Sequence, residues 1–173
     1  MPESHYYPAI LRLVTDITNR PPTGLDDLRH RCVTAGLGPG IPAGPADLAE
    51  IRRLGDRWAE IVDADTEERR VALLNALLAE AAAYPRITTH DGCGWHLHYR
   101  DDGVGLAAVL RAVTGVAAAQ HLTQLGMDRL GRCALDECRL AFVDFSRGGR
   151  QRYCSRACAN RDAVRRHRRR NAG

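Results

Sequence analysis

The sequence predicts a mainly α-helical chain that carries one β-hairpin and closes with a small α+β module. Three observations predict it. Over residues 8–81 apolar side chains recur every three or four positions, the period of one helix face. Near 86–100 the period shortens to two, around a DGCG turn signal. After 131 four cysteines fall in two close pairs, with enough chain between them to turn back.

Each element has its own signal. Residues 8–19 put Ile10, Leu11, Val14 and Ile17 on one helical face. Pro21 and Pro22 end that helix, and Thr23 is placed to cap a second one running to about 33. The run GLGPGIPAGP at 36–45 suits only a loop. A third helix over 46–63 directs Leu48, Ile51, Leu54, Trp58, Ile61 and Val62 inward. Asp65 or Thr66 caps a fourth, with Glu67 and Glu68 in the first turn, where the helix dipole favours negative charge. Its apolar stripe is Val71, Leu74, Leu77 and Leu78, and Pro85 closes the section. The hairpin follows at 86–100. A long Ala/Leu/Val helix over 106–125 is apolar on most sides and is expected to be the most buried. A boundary is expected at 126–131.

Charge changes at the same place. Residues 1–128 carry 12 Arg against 17 acids, whereas 129–173 carry 13 Arg against 4. No lysine is present. The division implies a helical body at 1–128, for sensing a signal or for dimerisation, and a basic module at 129–173 suited to a polyanion. The start MPESHYYPAI lacks the basic and apolar regions of a secretory signal. No stretch is read as approaching the roughly 20 apolar residues that span a bilayer. The expectation is a cytoplasmic protein without membrane contact, whose six cysteines are mostly reduced, so that clustered ones point to metal before disulfide.

The ligand candidates are Cys133, Cys138, Cys154 and Cys158, spaced C-x4-C, fifteen residues, C-x3-C. Two tight thiolate pairs linked by a hairpin-length insert suit one tetrahedral ion. Zn2+ is the default, and an iron–sulfur cluster is the alternative with the same ligands. If all four bind, no position is open and the metal is structural. The insert is expected to form a strand over 140–145, a turn at 147–149 and a returning strand over 150–153. Ser155 then caps a helix with Cys158 in its first turn. Knuckle, hairpin and helix in that order resemble a treble-clef finger. Arg132, Arg139, Arg152 and Arg156 flank the ligands and offset the charge of about −2 on a tetrathiolate zinc.

Within this module Phe142, Asp144, Ser146 and Arg147 (F-x-D-x-S-R), the run R-x-Y-C-S at 152–155, and C-A-N-R at 158–161 resemble the CGNR zinc-finger family. That resemblance covers about 131–170. It implies an N-terminal ABATE domain over about 8–128 and a bacterial protein proposed to regulate transcription under stress. Ala159 departs from the family pattern, standing where the name motif has glycine. Its methyl group is expected to change packing or backbone angle beside the metal.

The last helix is dense in arginine. Arg156, Arg161, Arg165, Arg166, Arg168 and Arg169 are candidate phosphate contacts, and Asn160 is a candidate base contact or a brace for the metal loop. The bland alternative is a solvated tail. His90, Cys93, His96 and His98 crowd the first hairpin as a second metal or ligand site, although incidental histidines on an exposed hairpin explain them more simply. Cys32 reads as a small buried hydrophobe. No catalytic motif is present, so the expected function is not enzymatic. The leading reading is a zinc-dependent protein that binds double-stranded DNA and regulates transcription, with a small-molecule effector or a homodimer as further partners. One alternative is an RNA-binding or ribosome-associated protein. Another is a ligand-binding or enzymatic helical domain for which the finger is a tether.

Overall fold

The structure is a computed structural model that describes residues 6–81, 84–89 and 95–171. Its elements are α1 (Tyr6–Asn19), α2 (Leu25–Thr34), α3 (Pro45–Asp63), α4 (Glu67–Ala81), β1 (Arg86–Thr88), β2 (His96–His98), α5 (Leu106–Leu125), β3 (Leu130–Arg132), β4 (Ala141–Val143) and α6 (Arg156–Asn171). The chain is mainly helical with two small antiparallel hairpins, as the sequence predicts.

The core forms where α1, α3 and α4 pack around α5. Ile10, Leu11, Val14 and Ile17 of α1 are buried, so its periodic face is the packed face. Trp58 of α3 is fully enclosed, and its indole N–H donates to Thr15 Oγ1 at 3.0 Å. That bond satisfies the one polar group the ring carries inside. Leu54, Ile61 and Val62 of α3 and Leu74 and Leu77 of α4 complete the helix faces.

Helix α5 is buried on most sides, as expected. It is long and apolar enough to cross a membrane, which corrects the reading that no stretch approaches that length. In the fold 67% of its most apolar window is covered by protein, the position of a core helix. Helix α5 stops at Gly126, whose φ of +115° is accessible to glycine at little cost.

Two helix starts are held differently from the sequence reading. Gly24, not Thr23, is the N-cap of α2. No side chain caps α2; the carboxylate of Asp27 in the first turn instead reaches back and accepts from Thr23 N–H at 3.0 Å, which ties the preceding residue to the helix start. Asp47 likewise accepts from Gly44 N–H at 2.8 Å and, with its other oxygen, from Ala107 N–H at 2.9 Å. One carboxylate thereby holds the starts of α3 and α5 together, where free N–H groups need an acceptor. Thr66 caps α4 as expected, accepting from Arg69 N–H at 3.1 Å.

The first hairpin lies where the alternation places it, with Arg86 opposite His98, Ile87 opposite Leu97 and Thr88 opposite His96. Arg86, Thr88, His96 and His98 are half-buried, whereas Ile87, Leu97 and the neighbouring Trp95 are exposed.

The second hairpin corrects an expectation. Strand β4 pairs with β3, which precedes the first cysteine, in the register Leu130–Val143, Gly131–Phe142 and Arg132–Ala141. Residues 150–153 form no strand. The reason is that the outer edge of β4 is already occupied. Asn19, the last residue of α1, donates to Ala141 C=O at 2.9 Å and accepts from Ala141 N–H at 2.8 Å. Asp144 then fixes the following residues as a loop, accepting from Ser146 N–H at 2.7 Å and Gln151 N–H at 2.9 Å. Leu130, Ala141 and Val143 share the main core with the helices.

Asn19→Ala is therefore expected to cost about 2 kcal/mol, since both partners on Ala141 lose their bonds together. A lowered midpoint in urea unfolding, at unchanged zinc content, checks it.

Candidate metal centre and nucleic-acid face

Strand β3 delivers Cys133, a tight turn delivers Cys138, the loop after β4 delivers Cys154, and the first turn of α6 delivers Cys158. The turn closes because Cys138 N–H donates to Leu135 C=O at 2.8 Å, and Cys133 N–H to Leu140 C=O at 2.8 Å. Arg139 follows with φ +53°, a left-handed conformation that costs a non-glycine residue about 1 kcal/mol. Ala134 N–H donates to Arg152 C=O at 2.7 Å and pins the returning loop against the knuckle. Ser155 caps α6 as expected, its Oγ accepting from Cys158 N–H at 3.2 Å.

The four sulfurs lie within 4.8 Å of one another. Cys138 and Cys154 are 3.5 Å apart, and Cys154 and Cys158 are 3.7 Å apart. Bonds of about 2.3 Å to a tetrahedral zinc place sulfurs about 3.8 Å apart, so the donor set fits. Cys133, Cys138, Cys154 and Cys158 together form a donor set for one structural zinc. The small core of the module is built from the ligands themselves with Leu135 and Tyr153. Cys32 stands apart in α2, and burial pushes its thiol up to about 11.

Asp144, from the F-x-D-x-S-R run, is 2% exposed. Burial opposes its charge, but hydrogen bonds from Ser146 and Gln151 and the nearby Arg129 outweigh it, so its carboxyl is held below the ordinary value. Arg129 also donates to Ser146 C=O at 2.7 Å. The motif thus shapes the loop that leads back to Cys154.

Helix α6 is exposed along its length, apart from Cys158 and a few half-buried positions. Its arginines divide into two groups. Arg165 meets Glu137 of the knuckle at 2.7 Å and Arg161 lies 3.7 Å from the same carboxylate. Arg166 pairs with Asp162, which also accepts from Tyr153 Oη. Arg156, Arg168 and Arg169 form no ion pair among the described residues. Asn160 is exposed and makes no side-chain hydrogen bond among them. Ala159 takes ordinary helical conformation, with its N–H donating to Ser155 C=O at 3.1 Å. No unusual backbone angle is needed there. Arg150 and Arg152, which were not among the candidate phosphate contacts, stand beside Arg156 where the loop enters α6. Their place in the same basic stretch was the available signal.

At the first hairpin His96 and His98 share one face, as the strand period requires, with their Nε2 atoms 3.1 Å apart. His98 Nδ1 lies 3.8 Å from Asp102. His90 and Cys93 lie outside the described residues.

Two family comparisons match consecutive parts of the chain. Residues 129–171 match the CGNR zinc finger. Residues 18–125, more than half of the chain, match ABATE, described as a proposed stress-induced transcription regulator. No curated protein matches the chain. Four clustered thiols at the end of a helical body, in this domain order, agree with both matches, and the chain belongs to the ABATE family of proposed stress-induced transcription regulators, with a CGNR zinc finger at its C-terminal end.

Proposed function

We propose that the protein binds double-stranded DNA through its zinc finger and α6 and regulates transcription, with residues 1–128 sensing a signal or joining two copies. The observation that carries this reading is the concentration of 13 Arg against 4 acids in 129–173, much of it on an exposed helix whose first turn contains a zinc ligand. A metal-pinned helix start gives the side chains that follow a fixed origin, and exposed guanidinium groups suit phosphate. The ion pairs of Arg161 and Arg165 with Glu137 do not oppose the reading. The two arginines are 59% and 47% exposed, and such surface pairs contribute about 0–1 kcal/mol, so a phosphate can replace the carboxylate.

The test is selection of bound sequences from a random duplex pool by the zinc-loaded protein, followed by salt titration of the enriched duplex. The expected result is one enriched motif, and an affinity that falls with a log–log slope of about −0.9 per phosphate contacted. Equal capture of single-stranded RNA in competition would move the assignment to RNA. Capture of every polyanion without sequence preference would reduce α6 to an electrostatic tail.

A further inference from the structure

The arginines at the entrance of α6 differ from those farther along it. Arg150, Arg152 and Arg156 line an open groove of about 430 Å³, together with Tyr153, the ligand Cys154 and Ala159. All three arginines are exposed, and none has an ion pair or a side-chain hydrogen bond among the described residues. Asp162, whose charge is felt by Arg152, is already engaged by Tyr153 and Arg166. Three cations therefore border one depression and none of them is ion-paired to a carboxylate, with only the neighbouring thiol cluster and Asp162 offsetting part of their charge, while Arg161, Arg165 and Arg166 on the same helix each face a carboxylate.

The backbone that carries the three is held from several sides. Gln151 N–H is bound by Asp144 at 2.9 Å, and Arg152 C=O accepts from Ala134 N–H at 2.7 Å. Cys154 and Cys158 belong to the thiol cluster that suits zinc. The groove also opens at the start of a 16-residue helix with no acid in its first turn. Ser155 already satisfies Cys158 N–H, which leaves the N–H groups of Arg156 and Ala157 ahead of the first helical bond, that from Ala159. A concave surface, three guanidinium groups without a carboxylate partner and the start of a helix border the same space.

We infer that this groove between Arg150, Arg152 and Arg156 is the seat of a nucleic-acid backbone phosphodiester, and that it fixes the position of α6 on the duplex. This rests on the DNA-binding reading above and specifies it. A phosphate held here is fixed by a preformed site, whereas contacts from Arg168 and Arg169 come from the unpinned end of the helix. The groove therefore supplies register and the tail supplies general attraction.

The experiment compares two triple variants of the full zinc-loaded chain that lose the same charge. One is Arg150→Gln with Arg152→Gln and Arg156→Gln. The other is Arg168→Gln with Arg169→Gln and Arg170→Gln. Affinity for a short fluorescent duplex is read by anisotropy across a salt series, and zinc content by elemental analysis. The groove triple is expected to flatten the log–log slope by about two to three units and to lose more affinity than the tail triple. If wild-type protein binds and the two triples weaken it equally, the groove is no special seat and the inference falls. If the groove triple loses zinc, each single variant is used instead, and each is expected to flatten the slope by about one unit. Reduced zinc retention with an unchanged slope would mean that these arginines only balance the tetrathiolate, which also overturns the proposal. Titration with inorganic phosphate at constant ionic strength separates the sources. Tight binding of the free ion without any duplex affinity would assign the groove to a small anion instead. Absence of wild-type binding to any nucleic acid would defeat the parent reading, a result distinct from equal loss in the two triples.

Discussion

Replacing Cys154 by Ser is expected to take zinc from one ion per chain to near none and to unfold α6 together with the knuckle. The small core of the module consists of Leu135, Tyr153 and the four ligands, too little apolar surface to hold it without the ion. Structural zinc contributes on the order of 10 kcal/mol to such folds, so no rearrangement of neighbouring side chains replaces it. The damage should stop at β4. Leu130, Ala141 and Val143 are buried among the helices, and Asn19 holds Ala141 whether or not metal is bound. Hydrogen exchange on the zinc-free variant is the check. Amides of α6 should exchange at the rate of an unfolded chain while those of α1 and α5 stay protected. Simultaneous loss of protection in α1 would show that the metal supports the whole chain.

Arg70→Met should be the most damaging change outside the metal site, lowering stability by about 3–5 kcal/mol. Arg70 is 8% exposed, and its guanidinium donates to Ile61 C=O at 3.1 Å, Ala64 C=O at 2.9 Å, Val62 C=O at 3.4 Å and also to Met127 C=O. Three of these carbonyls belong to the C-terminal end of α3, where the helix leaves acceptors without donors. The fourth lies between α5 and β3. Burial lowers the pKa of Arg70 from its ordinary value, while the charges of Glu67 and Asp128 oppose that shift. Methionine fills similar volume but leaves four acceptors unpaired, three of them on one helix end. Equilibrium unfolding in guanidinium measures the loss, and a change below about 1 kcal/mol would show that water replaces the lost donors.

What the sequence disclosed was whatever is encoded locally. The helix over 106–125 coincides with α5 because its apolar run and the glycine after it are both contiguous. The ligands were legible because thiolate pairs at short spacing serve few other purposes. Ser155 was legible because a cap acts within three residues. Long-range contacts were not. Strand β3 is three residues long and contains a glycine, so it looked like a boundary. The strand expected at 150–153 failed because Asn19, 122 residues from Ala141 in sequence, takes the edge it needed. Arg70 carried no periodic or motif signal, and its role exists only once α3 and the segment after α5 are folded beside it. The pairing of Arg161 and Arg165 with Glu137 was equally hidden, since it depends on how the knuckle lies along α6.

Asn19 gives the molecule a mechanical property. It ends α1 and grips β4 by both backbone groups of one residue, while Arg132 of β3 meets Asp63 at the end of α3 through two bonds of 2.7 Å. The segment where the charge changes sign is thereby fastened to the ends of α1 and α3. A shift of α1 or α3 would therefore be felt first by the β3–β4 hairpin, the strand pair from which Cys133 follows.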